Sequence, residues 1–178
     1  MKTNKAICAR LFKDKEWITK RDILDLQVQF REDLWHFQFH SMEPNEDGKI
    51  SIENFLKTSL PSLSGSAINK YKNRIAEFVK KIGDDDKGVS ESEFISFKYF
   101  FDELDQVKAK AHRFRYLDFE QFEEIVADVT KDVKTKRTKE PVKVPQHIAR
   151  TFFEYLDEDH SGELEPEELM AFSQTSMG

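Results

Sequence analysis

The residues best suited to chemistry lie in a run of acidic side chains near the end of the sequence. Residues 157–168 read DEDHSGELEPEE, with one glycine at the sixth position. Oxygen-bearing groups recur at positions one, three, five, seven, nine and twelve, the spacing with which one loop surrounds a Ca²⁺ ion. The predicted Ca²⁺ ligands are, in that order, Asp157, Asp159, Ser161, Glu163, Glu165 and Glu168.

Each of these positions has a role that its chemistry suits. The first three side chains offer oxygen atoms directly, whereas Glu163 offers its backbone carbonyl and Glu165 binds directly or through water. Glu168 supplies both oxygens of its carboxylate, which favours a seven-coordinate Ca²⁺ over an octahedral Mg²⁺. Gly162 stands where the chain turns through a conformation that penalises a Cβ atom. The pattern is that of an EF-hand loop between two helices.

Apolar residues at helical spacing predict the elements that hold this loop. The helix before it begins after Pro145, and Pro166 falls at the start of the helix after it, where a missing N–H costs little. Ser90 and Glu93 form a capping box that starts another helix. The predicted fold class is therefore all-α. The apolar stripes are Ile148, Phe152, Phe153 and Leu156; Phe94, Phe97, Phe101 and Leu104; and Ile68, Tyr71, Ile75, Phe78, Val79 and Ile82.

An internal repeat predicts further helix–loop–helix modules. Its trace is an apolar residue at the eighth loop position, a carboxylate or amide four residues later, and then another apolar residue. Leu164 holds this eighth position in the acidic loop, and Ile50, Val89 and Leu117 match it elsewhere, with a weaker match at Ile18. EF-hands pack in pairs, so we expect short antiparallel β-bridges that join Ile50 to Val89 and Leu117 to Leu164.

Three of the additional loops lack the ligand pattern of the acidic loop. Counting back from each eighth position places residues unsuited to Ca²⁺ at ligand positions, and in the third loop a lysine also stands where the glycine belongs. These modules are expected to be structural copies only. The residues concerned are Leu11, Lys13 and Lys15 in the first loop, Ile82 and Lys87 in the third, and Lys110, His112 and Phe114 in the fourth.

The second loop, residues 43–54, is less degenerate. Asn54 stands where the bidentate glutamate belongs, and Pro44 stiffens the start of the loop. Weak binding of Ca²⁺ or Mg²⁺ remains open for this loop. Its candidate ligands are Glu43, Asn45, Asp47 and Ser51, with Gly48 in the glycine position.

The modules divide the chain into three predicted segments. Residues 1–40 form half an EF-hand and a long connecting helix, which suggests that the chain begins part-way through a longer EF-hand protein. Residues 41–108 form a degenerate EF-hand pair. Residues 109–178 form a pair with one functional calcium loop. The basic stretch 130–145 is interpreted as a solvated linker or loop rather than a binding patch.

Composition and missing motifs exclude several classes of function. The 178 residues carry a net charge of −6, which disfavours nucleic acid as a partner. No apolar run approaches the ~20 residues of a transmembrane helix. The single cysteine, Cys8, excludes an internal disulfide framework and a cysteine-built zinc site. No secretory or mitochondrial presequence is evident, which leaves a cytosolic protein or a processed fragment.

An enzyme is not expected, because neither a phosphate-binding glycine-rich loop nor a zinc-protease motif occurs. His36 and His40 stand four residues apart on one helix face, as zinc ligands do. The sequence identifies no third ligand, so both are interpreted as structural or surface histidines.

Most of the chain, from about residue 11 to 172, resembles the mitochondrial calcium uptake (MICU) family, which regulates the mitochondrial calcium uniporter. Trp17 to Phe55 is similar to that family's half-hand, long helix and degraded loop. Lys87 to Leu104 and Tyr116 to Val126 resemble the following hands. Arg150 to Leu169 matches the family's second functional hand.

The resemblance implies a regulatory subunit that restrains the uniporter without Ca²⁺ and releases it when Ca²⁺ binds. It implies a location in the mitochondrial intermembrane space, peripheral to the inner membrane, and a dimer with itself or a paralogue. The implied partners are the pore and its small regulatory subunit. The family's first functional hand and its basic C-terminal helix are not found in this sequence. Without the resemblance, the alternative is a cytosolic EF-hand sensor or scaffold with another partner.

Overall fold

Helices dominate the computed structural model, which describes residues 17–59, 66–83, 86–165 and 168–169, without the side chains of 59 and 66–71. Seven helices and four two-residue strands form within these ranges. The helices are α1 (Lys20–Ser41), α2 (Ile52–Ser59), α3 (Ser66–Ile82), α4 (Glu91–Asp102), α5 (Leu104–Ala111), α6 (Phe119–Thr130) and α7 (Gln146–Leu156). The strands are β1 (Lys49–Ile50), β2 (Val89–Ser90), β3 (Leu117–Asp118) and β4 (Glu163–Leu164).

Two antiparallel strand pairs join the loops, as the repeat predicted. Ile50 lies opposite Val89 in the first pair, and Leu117 lies opposite Leu164 in the second. All four side chains are buried. The structure is therefore all-α with paired EF-hand modules and short β-bridges, and both predicted bridges are confirmed.

Hydrogen bonds at the helix ends fix where α4 begins and where it stops. The predicted capping box at the start of α4 is confirmed, because the Glu93 carboxylate accepts the backbone N–H of Ser90 at 2.8 Å. The prediction that Leu104 continues the same helix is wrong. Helix α4 ends because Glu103 leaves the helical conformation and donates its N–H to the Phe100 carbonyl at 2.9 Å. Leu104 is buried, but it belongs to the next helix, α5.

The aromatic residues form a core shared by both EF-hand pairs. The ring of Phe97 on α4 lies 4.7 Å from that of Phe55 on α2 and 5.0 Å from that of Phe152 on α7. Such edge-to-face contacts add about 0.5–1.5 kcal/mol each beyond the burial of the rings. The loop 157–168 at the end of α7 thus rests on a core to which the N-terminal pair contributes directly.

The basic stretch 130–145 forms a hairpin that packs on α1, whereas the sequence predicted a solvated linker or loop. A β-bridge joins Lys134 to Pro141, and the chain between them folds against Glu32 of α1. The Glu32 carboxylate is 2% exposed and accepts the backbone N–H of Lys136 at 2.6 Å and of Arg137 at 3.1 Å. A buried carboxylate is tolerated when hydrogen bonds satisfy it in this way.

Tyr99 completes the environment of Glu32, since its hydroxyl donates to that carboxylate at 2.6 Å. Burial and this hydrogen bond raise the pKa of Tyr99, so the hydroxyl remains a donor at neutral pH. The stretch is therefore a hairpin fastened to α1.

None of the helices in the described ranges is both long enough and apolar enough to cross a bilayer. Some predicted features cannot be placed. Outside the described residues lie Cys8, Leu11, Lys13, Lys15, Pro166 and the side chains of Ile68 and Tyr71.

Candidate metal centre

The acidic loop begins where helix α7 ends. Asp157 caps this helix, with its N–H bonded to the Phe153 carbonyl at 2.9 Å. On the other side of the loop, Leu164 is fixed by its pairing with Leu117, and residues 168–169 are helical. The loop is thus held at both ends and at its eighth position.

Asp157 organises the first half of the loop. One carboxylate oxygen accepts the Ser161 N–H at 3.0 Å, and the other accepts the Gly162 N–H at 2.9 Å. Asp157 is 5% exposed. Because its two oxygens accept N–H groups from successive residues, this carboxylate holds the chain in a tight curve around itself.

Glu168 closes the second half of the loop. Its two oxygens accept the backbone N–H groups of Glu158 at 2.6 Å and of Glu165 at 3.0 Å. The side chain therefore reaches back across the whole loop, from the twelfth position to the second.

Three predicted ligands are gathered at one point. Carboxylate oxygens of Asp157, Asp159 and Glu168 all lie within 4.8 Å of one another, and no other such set of His, Cys, Asp and Glu occurs in the described ranges. Hydrogen bonds from the side chain and backbone N–H of Ser161 lower the pKa of Asp159, which favours its charged form. Like charges at this separation repel, so the arrangement favours a cation.

The other predicted ligands line the same loop with different geometry. The Ser161 hydroxyl donates to the Glu163 carbonyl at 2.9 Å and lies 3.5 Å from an Asp157 oxygen. The side chain of Glu165 is exposed and does not join the three gathered carboxylates. This arrangement suits a water-mediated contact at the ninth position. All donors are oxygen atoms, which fits a hard cation such as Ca²⁺.

Two backbone conformations shape the turn. Gly162 has a φ of +83°, in agreement with the prediction from its position. His160 also lies in the left-handed region, with a φ of +58°. Histidine is one of the few residues besides glycine that is enriched there, but nothing in the spacing of the ligands singled it out.

Arg74 on α3 supports the loop from outside and was missed by sequence analysis. Its guanidinium donates to the backbone carbonyls of Tyr155 and Leu156, the second at 3.1 Å, and lies 3.6 Å from the Glu158 carboxylate. It also covers the Tyr155 ring, 5.2 Å from the centroid. These carbonyls lie in the last turn of α7, where no backbone N–H of the helix is available to bond to them. Arg74 supplies the missing hydrogen bonds and so fixes the position of this end of the helix.

The second loop, residues 43–54, is organised differently. The amide oxygen of Asn45 accepts the N–H groups of Asp47 at 3.0 Å and Lys49 at 2.9 Å. At the far end, Asn54 donates its N–H to the Ser51 hydroxyl at 3.2 Å. The acidic residues of this loop form no gathered set within the described ranges. Weak metal binding by this loop remains a sequence-based prediction.

Comparison with solved structures assigns the fold. A crystal structure of EFHA2 in a Ca-binding state matches with a TM-score of 0.66 and 18% sequence identity, over 86% of this chain and 47% of that one. The fold is that of an EF-hand protein. The chain spans about half the length of EFHA2. No protein-family model matches the sequence.

Proposed function

We propose that the chain is a calcium sensor in which the loop 157–168 binds one Ca²⁺ ion. The observation that carries this proposal is the convergence of the Asp157, Asp159 and Glu168 carboxylates within 4.8 Å of one another. The solved structure of EFHA2 in a Ca-binding state gives support, since a chain of similar fold binds this ion. With four carboxylates among the predicted ligands, we expect an affinity in the sensor range, on the order of 10⁻⁷–10⁻⁵ M.

The predicted ligands connect two helices, so metal binding can change the angle between these helices. Asp157 ends α7 and Glu168 lies in the following helix, so a cation shared by both would fix the angle between them. Bound Ca²⁺ would supply positive charge that offsets the repulsion between these carboxylates. Leu164 and Leu169 are 1% and 3% exposed beside this junction. A change in helix angle would alter how much of this apolar surface a partner can reach.

The direct test is a calorimetric titration with Ca²⁺ in millimolar Mg²⁺. The native chain should bind one ion, and Glu168→Gln should abolish binding because a neutral amide cannot provide the bidentate carboxylate. Glu43→Gln makes the same chemical change in the loop 43–54 and should leave the titration unchanged. Absence of binding by the native chain would contradict the sensor proposal and leave an EF-hand scaffold.

We further propose that the partner of this sensor is the mitochondrial calcium uniporter, on the basis of the sequence resemblance to the MICU family. In this proposal the chain acts without catalysis, as a dimer with itself or a paralogue. It lies in the intermembrane space at the inner membrane. It contacts the pore and its small regulatory subunit, restrains the pore without Ca²⁺ and releases it when Ca²⁺ binds.

Two measurements test this finer proposal. The purified chain should co-sediment with vesicles that contain the pore and its small regulatory subunit, and the amount bound should change with Ca²⁺ in the native chain but not in Glu168→Gln. Light scattering should detect a dimer. Calcium binding without either effect would favour the alternative, a sensor or scaffold for another partner.

A further inference from the structure

A second cluster of metal-binding side chains lies where α1 crosses the start of α4. One carboxylate oxygen of Glu91 is 2.7 Å from Nδ1 of His36 and 3.0 Å from Nε2 of His40. The sequence placed the two histidines on one helix face but offered no third ligand. The fold supplies it from a residue more than 50 positions away.

We propose that His36, His40 and Glu91 form a Zn²⁺ site, separate from the calcium loop. Two imidazoles and one carboxylate are a recurring set of zinc ligands, with water in the fourth position. Imidazole nitrogen favours Zn²⁺ over Ca²⁺ and Mg²⁺, which prefer oxygen. The site would therefore not compete for the ion that the loop 157–168 takes.

The three side chains combine a fixed ligand with adjustable ones. The side chain of His36 is 19% exposed, whereas those of His40 and Glu91 are 64% and 35% exposed. Both imidazole nitrogens lie within 3.0 Å of one Glu91 oxygen, but the three donor atoms are not all within 4.8 Å of one another, as those of the loop 157–168 are. Because His40 is the most exposed of the three, a turn of its ring can bring the donors onto one cation.

Glu32 is a second carboxylate close to His36. A carboxylate oxygen of Glu32 faces Nε2 of His36 at 3.8 Å, while Glu91 lies at Nδ1. The 3.8 Å contact is longer than a hydrogen bond, so Glu32 contributes negative charge beside the His36 ring rather than a direct bond. Glu32 is itself held by Tyr99 and by the backbone of the 134–141 hairpin. The His36 ring therefore lies between two carboxylates, those of Glu91 and Glu32.

The surroundings are favourable to a cation. A cleft of about 310 Å³ adjoins the cluster, bounded by α1, the first turn of α4 and the 134–141 hairpin. Four acidic residues line it, against one lysine, Lys143. The acidic residues are Glu32, Glu91, Glu93 and Glu140. A bound Zn²⁺ would link the long helix α1 to the N-terminal EF-hand pair. This link would form whether or not the loop 157–168 holds Ca²⁺.

The test is a Zn²⁺ titration of the full chain in saturating Ca²⁺, so that the loop 157–168 is filled. One Zn²⁺ should bind, and His40→Ala and Glu91→Gln should each weaken binding by at least ~10-fold, since each removes one of three ligands. His147→Ala is the matched control. His147 forms a similar pair with Glu93 at 3.1 Å, outside the proposed ligand set, so binding should be unchanged.

A second measurement reports the ligands themselves. Co²⁺ in place of Zn²⁺ should give visible absorption bands that disappear in His40→Ala and persist in His147→Ala. Circular dichroism establishes whether each variant is folded. If His40→Ala does not fold, Glu91→Gln replaces it in the Co²⁺ measurement. The proposal is overturned if the native chain takes up no Zn²⁺, or if the His40 and Glu91 variants bind as tightly as the native chain. It is also overturned if Glu168→Gln alone removes the binding.

Discussion

The loops 43–54 and 157–168 have the same backbone plan and different chemistry. Each places a glycine with positive φ at its sixth position, +71° at Gly48 and +83° at Gly162. Each buries an apolar residue at its eighth position, Ile50 or Leu164, in a β-bridge to a neighbouring loop. The loop 43–54 thus keeps the backbone path of the loop 157–168, although its carboxylates are not gathered at one point.

The difference lies in which residue organises each loop. In the loop 157–168, the buried carboxylate of Asp157 at position one accepts two N–H groups, and Glu168 closes the far end. In the loop 43–54, a neutral amide at position three, Asn45, takes the organising role, and Ser51 caps Asn54. Backbone shape and metal chemistry are therefore separable. The turn needs a glycine and one hydrogen-bond acceptor, whereas the ion needs charge at the first and twelfth positions.

The largest expected effect is the stabilisation of the chain by Ca²⁺. At a Ca²⁺ concentration 100 to 1,000 times the dissociation constant, the free energy of unfolding should rise by about 3–4 kcal/mol. Asp157→Asn should lose this increase, because it removes charge from the organising position. Urea unfolding with and without Ca²⁺ measures the difference.

Asn45→Asp sharpens the same comparison from the other side. It adds a carboxylate to the loop 43–54, yet the gain in stability from Ca²⁺ should equal that of the native chain, since position twelve remains an amide. A larger gain would show that this loop is one substitution away from binding, and the contrast between the loops would fail.

An intermediate effect is expected at Arg74, which lies on α3 and supports the half of the chain that contains the loop 157–168. Arg74→Gln should lower the free energy of unfolding by about 2 kcal/mol in Ca²⁺-free buffer, because hydrogen bonds from a charged donor to the end of α7 are lost. Lys72→Gln, an exposed change on the same helix, is the control. Equal stability of the two variants would show that the degenerate pair gives α7 no support through this contact.

The smallest effects should be those of Gly48→Ala and Gly162→Ala. Neither glycine has a heavy atom within 4 Å of an added Cβ, so the cost comes only from the left-handed backbone and should be about 1 kcal/mol each. Thermal unfolding without Ca²⁺ compares them. Clearly unequal losses would contradict the view that the two loops share one backbone plan.

Features that the repeated loop pattern specifies were predictable from the sequence. The apolar eighth positions predicted both β-bridges, and the spacing of residues 157–168 predicted the three carboxylates that the fold gathers. The break after α4 was not predictable, because Leu104 is buried and continues the apolar spacing although it lies on the next helix.

Contacts between distant segments that lie outside this loop pattern could not be predicted. Arg74 bonds to Tyr155, 81 residues away, and Glu32 bonds to Lys136, 104 residues away. Neither residue stands in a motif, since an arginine or glutamate on a helix surface is ordinary until the fold brings a partner to it. The same holds for Glu91, which joins His36 and His40, for which the sequence offered no third ligand, into a cluster.

The β-bridge between Leu117 and Leu164 has a consequence for the shape of the calcium response. It couples the loop 157–168 to a neighbour with Lys110, His112 and Phe114 at its ligand positions, so an ion in one loop has no second ion in the other with which to cooperate. Occupancy of this pair should therefore follow a hyperbolic curve with a Hill coefficient of one. A steep threshold in calcium would have to arise from coupling between separate copies of the chain or with a partner.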